Sequence, residues 1–166
     1  MPMSDTTPKS VLLVCLGNIC RSPTAEGIMR QRTAIAGLTL KIDSAGTGDW
    51  HIGKHPDPRA QSHAKQHGYN ISKLVARQVS PQDFLDFDLI LAMDSQNLKD
   101  LQQIREIAAQ KTGAEDLARL ALMSEVDASY LNQDVPDPYY GGEDGFEEVI
   151  KRLESSVDAW IDTWQL

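Results

Sequence analysis

Four consecutive apolar residues, Val11 to Val14, run directly into Cys15, and the chain then passes through a polar turn into a helix start. A short apolar run of this kind reads as a buried strand. Gly17 and Asn18 follow, the residue types that best tolerate positive φ. Ser22 and Pro23 then supply a favoured N-cap and a favoured first helical residue. The pattern predicts a helix to about Ala36, closed by Gly37.

The alternation of strand and helix continues along the chain. Thr39 to Ser44 reads as a second strand and Gly46 to Asp57 as a long loop. Asp57 and Pro58 repeat the cap-plus-proline start, with Gly68 ending that helix. Ser80 and Pro81 open a short third helix. Asp88 to Met93 is a third strand, Gln96 to Lys111 a helix, and Ala118 to Met123 a weaker fourth strand. The last helix is the clearest. Phe146, Val149, Ile150, Leu153, Val157, Trp160, Ile161 and Trp164 make one apolar stripe at helical spacing. The expectation is a single α/β domain over 10–166, behind a loose leader over 1–9. Its parallel sheet of four strands is covered by helices on both faces. Such sheets bind ligands beyond the carboxyl ends of their strands, at a switch point. The turn after Val14 is such a place.

That location raises the question of what Cys15 is for. The chain of 166 residues has two cysteines, Cys15 and Cys20. A disulfide-stapled secreted fold wants more, at wider spacing. A structural zinc site wants about four ligands, and no second Cys or His pair completes one. The net charge of −8 argues against nucleic acid or an anionic membrane as partner, since both require a basic face. It leaves room for a local positive pocket. No apolar run approaches the ~20 residues of a membrane span, so membrane insertion is not expected. Met1 to Lys9 is polar and lacks a signal-peptide apolar region, which makes the cytoplasm the expected compartment.

The loop from Cys15 to Ser22 has the composition of an anion-binding nest. Gly17 and Asn18 let successive backbone N–H groups turn inward at a helix N-terminus. Arg21 adds a planar fork matched to two phosphate oxygens. Cys15 then lies beneath the anion, in a setting that activates a thiolate nucleophile. A lone Cys at a strand end reads better as a small buried hydrophobe. Gly17, Asn18, Arg21 and Ser22 around it favour the chemical reading.

The string from Cys15 to Pro23 resembles the signature of the low-molecular-weight protein tyrosine phosphatases. Further matches are Asp43 to Ala45, Asp49 with Trp50, Pro56 to Arg59, Ala76 to Gln78, Met93 with Asp94, and Asp137 to Tyr140. The resemblance runs from about Ser10 to Trp164 and implies the phosphotyrosine phosphatase I-like fold. It implies hydrolysis of phosphotyrosine and small aryl phosphates through a cysteinyl-phosphate, with Cys15 and Arg21 catalytic. Leu16, Gly17, Asn18, Ile19 and Cys20 would build the phosphate loop, with Ser22 bonded to Cys15 and Asn18 bracing the turn. Asp137, by itself as readily a turn-former between two prolines, becomes the general acid and base. Trp50, Tyr139 and Tyr140 become an aromatic wall, although an isolated loop Trp is more often a packing residue. Cys20 becomes a partner for oxidised Cys15. No metal or cofactor is implied. A phosphotyrosine protein is the implied substrate, and phosphate or vanadate the implied inhibitors.

Alternatives are weaker. A thiol-dependent arsenate reductase on the same fold needs further cysteines, and none follows Cys20. Phosphoarginine phosphatases tend to carry Thr where Ile19 stands. A non-catalytic phosphate-binding module has no use for Asp137. Gly48 to His55 nearly spells a nucleotide P-loop. It has His55 where a magnesium-binding Ser or Thr belongs, no strand expected just before it, and Pro56 opposing a helix start at Lys54. One departure from the family concerns Leu74, which stands where many relatives have a His that braces the loop Asn. His63 and His67 read as surface residues of their helix rather than substitutes.

Overall fold

Alternate residues of the first strand point to opposite faces of the sheet, and each face is covered by its own helices. The computed structural model describes residues 7–113, 116–139 and 141–165. Its strands are β1 (Ser10–Cys15), β2 (Lys41–Gly46), β3 (Leu89–Ala92) and β4 (Arg119–Leu122). All pairings are parallel, in the order β2-β1-β3-β4. The helices are α1 (Arg21–Ile35), α2 (Pro58–Gln66), α3 (Asp83–Asp86), α4 (Ser95–Thr112) and α5 (Glu143–Trp164). Val11, Leu13 and Cys15 share one core with buried side chains of α1, α2 and α5. Leu12 and Val14 share the other with Phe84 of α3 and Leu101 and Ala108 of α4. β1 is therefore buried on both sides, which explains its unbroken apolar run.

The chain leaves β1 for β2 on one side and returns to β3 on the other. The crevice at the carboxyl end of β1 is thus the switch point of the sheet, and Cys15 stands in it. The stripe of α5 is buried from Phe146 to Trp164. Trp160 adds a polar anchor, its Nε1 donating to Met123 O at 2.7 Å. Burying an aromatic of this size while pairing its N–H contributes on the order of 2–3 kcal/mol.

Several boundaries differ from the sequence reading, each for a tertiary reason. β2 starts at Lys41 rather than Thr39, because Gly37 turns at φ 75° and Leu38 N bonds back to Thr33 O. It runs on to Gly46, in register with Cys15. A strand therefore does end shortly before Gly48, contrary to the expectation used against a nucleotide loop. No helix opens at Lys54, and α2 begins at Pro58 with Asp57 as N-cap, accepting from Arg59 N. α1 begins at Arg21 without a side-chain cap. The Ser22 expected there as cap lies in the first turn, with its hydroxyl directed at Cys15. α3 begins at Asp83, because the carboxylate of that residue closes the turn onto Ser80 N at 2.9 Å. At the amino-terminal side Thr7 Oγ1 donates to Trp164 O and Lys9 N to Asp88 Oδ2. Residues 1–6 of the expected leader and Tyr140 lie outside the described residues.

Candidate active site

Four carbonyls of the loop after β1, those of Cys15, Leu16, Ile19 and Cys20, are taken up by surrounding chain. Thr47 N bonds Cys15 O and Gly48 N bonds Leu16 O, both at 2.9 Å, while Asp57 N bonds Ile19 O at 2.8 Å. Thr24 closes the last turn, N and Oγ1 both on Cys20 O. Asn18 takes φ 57°, the conformation its residue type tolerates. Gly46 lets β2 pass under this turn, since a Cβ there would sit 2.7 Å from Leu16 O. The result is a loop fixed by its outward-bonded carbonyls, with the Asn18 amide donating to Cys15 Sγ at 3.3 Å.

Cys15 is 2% exposed, and Ser22 Oγ lies 3.0 Å from its Sγ. Ser22 Oγ already accepts from Asn18 Nδ2 at 2.8 Å. Its alternative acceptor, Ala45 O, is 3.5 Å away. The one hydroxyl proton of Ser22 is therefore best placed on the sulfur. Asn18 itself is held by three groups, and Leu74 is not among them. Its Nδ2 also donates to Ser44 Oγ at 3.0 Å, and its Oδ1 accepts from Arg77 N at 3.1 Å. Ser44 Oγ in turn donates to buried Glu26 Oε1 at 2.7 Å, and Arg30 pairs with that carboxylate. Arg77 is locked in turn by a two-pronged bond to Asp83 and by Asp43. The bracing left open by Leu74 is thus supplied by a network of serine hydroxyls and a backbone amide.

Arg21 is buried to the same degree as Cys15. Its Nη1 donates to Asp94 at 2.6 Å and to Val135 O at 3.0 Å, and its Nη2 lies 3.5 Å from Asp137 Oδ2. Burial opposes the charge, but Cys15, Asp94 and Asp137 together hold the guanidinium above its ordinary pKa. Val135 is fixed through both peptide groups, because its N bonds Met93 O at 2.8 Å. That fixes where Asp137 can reach, two residues on. Tyr139 N donates to Asp137 Oδ1 at 3.0 Å, which leaves Oδ2 on the Arg21 side.

A cavity of about 380 Å³ opens above these groups, the size of an ordinary small-ligand pocket. Cys15, Gly17, Ile19 and Arg21 form its floor, and Trp50, Tyr139 and Asp137 stand around it. Trp50 is exposed, and Gly48 leaves room for its ring, since a Cβ there would fall 2.0 Å from the indole. His51 also lines the cavity, tilted against Tyr139 at 6.1 Å between ring centres. Sequence reasoning missed it, along with Ser44, Glu26, Arg77 and Asp94. For Ser44, Arg77 and Asp94 the available signal was the matched strings Asp43 to Ala45, Ala76 to Gln78 and Met93 with Asp94; His51 and Glu26 carried none. His63 corrects the sequence reading: it is buried, stacked on Phe146 at 5.5 Å and 8°, with Nδ1 on Glu147 at 2.7 Å. His67 binds the other oxygen of that carboxylate. Among the described residues no group of three or more His, Cys, Asp or Glu is arranged to hold a metal ion, and no helix is long and apolar enough to cross a membrane.

Comparison with known proteins places the chain among relatives of one family and fold. The family model described as low molecular weight phosphotyrosine protein phosphatase matches residues 10–165. A low molecular weight phosphotyrosine protein phosphatase of Schizosaccharomyces pombe is 44% identical over 146 residues, covering 86% of this chain and 88% of the relative. Among solved structures, a protein tyrosine phosphatase from Entamoeba histolytica with Hepes in its active site superposes with TM-score 0.81 at 38% identity, covering 93% of this chain and 95% of that one. A Drosophila arginine phosphatase superposes with TM-score 0.84 at 33% identity, covering 94% and 98%.

Proposed function

This chain belongs to the low molecular weight phosphotyrosine protein phosphatase family, and we propose that it hydrolyses phosphotyrosine in proteins by two displacements at phosphorus. The observation that carries the proposal is Cys15 Sγ on the cavity floor, bonded by Asn18 N and Ser22 Oγ, with Arg21 and Asp137 beside it. Arg21 and the amides of Leu16 to Arg21 hold the three non-bridging oxygens and stabilise the transition-state charge. The Cys15 thiolate attacks phosphorus in line. The bond to the phenol breaks with its electron pair going to oxygen, and Asp137 supplies the proton. Water then attacks the cysteinyl-phosphate and loses its proton to Asp137. The S–P electron pair returns to Cys15, where the Ser22 hydroxyl stabilises it.

Ile19 at the cavity floor and Trp50 and Tyr139 at its sides offer apolar faces to a flat ring, which favours an aryl phosphate over phosphoserine or phosphoarginine. Tyr140 is proposed with them on the family resemblance. Inorganic phosphate and vanadate would inhibit by filling the same loop. We place the working domain at 10–166, with Thr7 and Lys9 bonded to it rather than forming part of a loose leader, and the protein in the cytoplasm. The test is a panel of phosphotyrosine, phosphoserine and phosphoarginine peptides with chelator present throughout. Phosphotyrosine is expected to be turned over fastest by a wide margin, and preference for either other peptide would overturn the assignment. In the same panel Trp50→Ala should weaken phosphotyrosine-peptide kcat/KM about 3- to 10-fold, the range of a single aromatic contact. Inhibition by inorganic phosphate should not change. Unaltered peptide kinetics would return Trp50 to a packing role.

Cys20 has a separate part. Burial, reinforced by Asp57, Cys15 and Asp137, pushes its thiol well above the ordinary value. It therefore does not compete with Cys15 as nucleophile at neutral pH. Peroxide would convert Cys15 to a sulfenic acid. Condensation with the Cys20 thiol would form the disulfide and release water, and a dithiol would reverse it. After peroxide and then dithiol, the parent should recover most activity and Cys20→Ser little. Equal recovery would leave Cys20 as packing.

A further inference from the structure

Arg59 projects from the first turn of α2, outside the phosphate loop and the cavity floor. Its side chain is 43% exposed, so it fills no core space, and an exposed ion pair of this kind adds little to stability. Its contacts nevertheless converge on the two segments that do the chemistry. Asp57 Oδ1 accepts Arg59 N at 2.8 Å and Nε at 3.1 Å, and Oδ2 accepts Nη2 at 2.9 Å. The Asp57 backbone N is the group that holds Ile19 O of the phosphate loop. On the other side Arg59 Nη2 donates to Tyr139 O at 2.9 Å. The guanidinium carbon lies 5.6 Å from the centre of the Tyr139 ring and 4.9 Å from that of Phe146. Tyr139 is also the residue whose N–H fixes Asp137 Oδ1.

We propose that Arg59 is a positioning residue for the general acid, tying the loop that carries Asp137 to the loop that holds the phosphate. The inference rests on the reading of Asp137 as that acid. The Tyr139 peptide is the coupling element: its N–H orients the carboxyl and its carbonyl is gripped by Arg59. Phe146, in the first turns of α5, is clasped from the same helix by Arg59 and by His63 one turn further on. That clasp sets the direction in which the acid loop enters α5. A planar fork does this where an ammonium cannot. It lies side-on to Asp57, reaches a carbonyl and covers two rings at once. Misplacing a catalytic group by about 1 Å can cost up to 10²-fold in rate, so this exposed arginine matters more to catalysis than to folding.

The experiment measures kcat/KM, which reports the first displacement, on aryl phosphates with poor and good leaving phenols. Arg59→Gln is made in the parent and in Asp137→Asn, and Arg59→Lys covers the case in which the glutamine variant does not fold. In the parent background Arg59→Gln should lose about tenfold on the poor leaving group and less than about twofold on the good one. Arg59→Lys should show the same pattern, and phosphate inhibition should stay within about twofold of the parent. In the Asp137→Asn background the change at Arg59 should add less than about twofold, because the group it positions is gone. Equal losses on both leaving groups, or the same tenfold loss without Asp137, would overturn the positioning role. If Asp137→Asn alone showed no leaving-group dependence, the assignment of the acid would fall instead, and the two failures are thereby distinguished.

Discussion

Cys15→Ser is expected to lower turnover by more than about 10⁴-fold while leaving the phosphate site intact. The loop does not depend on the sulfur for its shape. Its carbonyls are bonded by Thr47, Gly48, Asp57 and Thr24, and Asn18 is held by Ser22, Ser44 and Arg77. A serine hydroxyl is a far weaker nucleophile here, since no residue on the floor stands ready to take its proton. Inorganic phosphate and vanadate should bind the variant as well as the parent or better, because a negative sulfur no longer faces the anion. Steady-state turnover and phosphate binding by calorimetry check both halves. Hydrolysis within tenfold of the parent would remove Cys15 from the nucleophile's role.

Asp137→Asn should have the second-largest effect, and the effect should depend on the leaving group. Asn keeps the shape of Asp and can still accept from Tyr139 N, so the loop should stay in place. What it loses is the proton. For a phenol that leaves poorly, kcat/KM should fall by about 10²–10³-fold, and for a nitrophenol by less than tenfold. Equal losses across leaving groups would show that Asp137 does something other than protonate them.

The parts of this molecule legible in its sequence are those whose cause is local. The turn from Cys15 to Pro23 could be read because strand, positive-φ residue and helix start follow one another within a few positions. The α5 stripe could be read because a buried helical face repeats every three to four residues. Distant causes were not legible. The start of β2 depends on Lys41 pairing beside Ser10, which the propensity of Thr39 does not report. Ser22 looked like a helix cap because its hydroxyl could bond the backbone, and only the fold shows a sulfur closer at hand. The bracing of Asn18 comes from Ser44 and Arg77, 26 and 59 residues along the chain. His63 looked like a surface residue until Phe146 and Glu147 of α5 covered it. Asp137 could be given a role only by family resemblance, since its place near Arg21 depends on Val135 being held by Met93, the residue after β3.

The central claim is that phosphate passes through a covalent bond to Cys15, and a trapping experiment tests it most directly. Asp137→Asn slows release of phosphate from sulfur as well as its capture, so with a nitrophenyl phosphate the intermediate should accumulate. Acid quenching in the first turnover, followed by peptide mapping by mass spectrometry, should find a phosphoryl adduct on the peptide carrying Cys15. The adduct should appear together with a burst of nitrophenol. A burst with the adduct on another residue, or turnover with no burst and no adduct, would contradict the account.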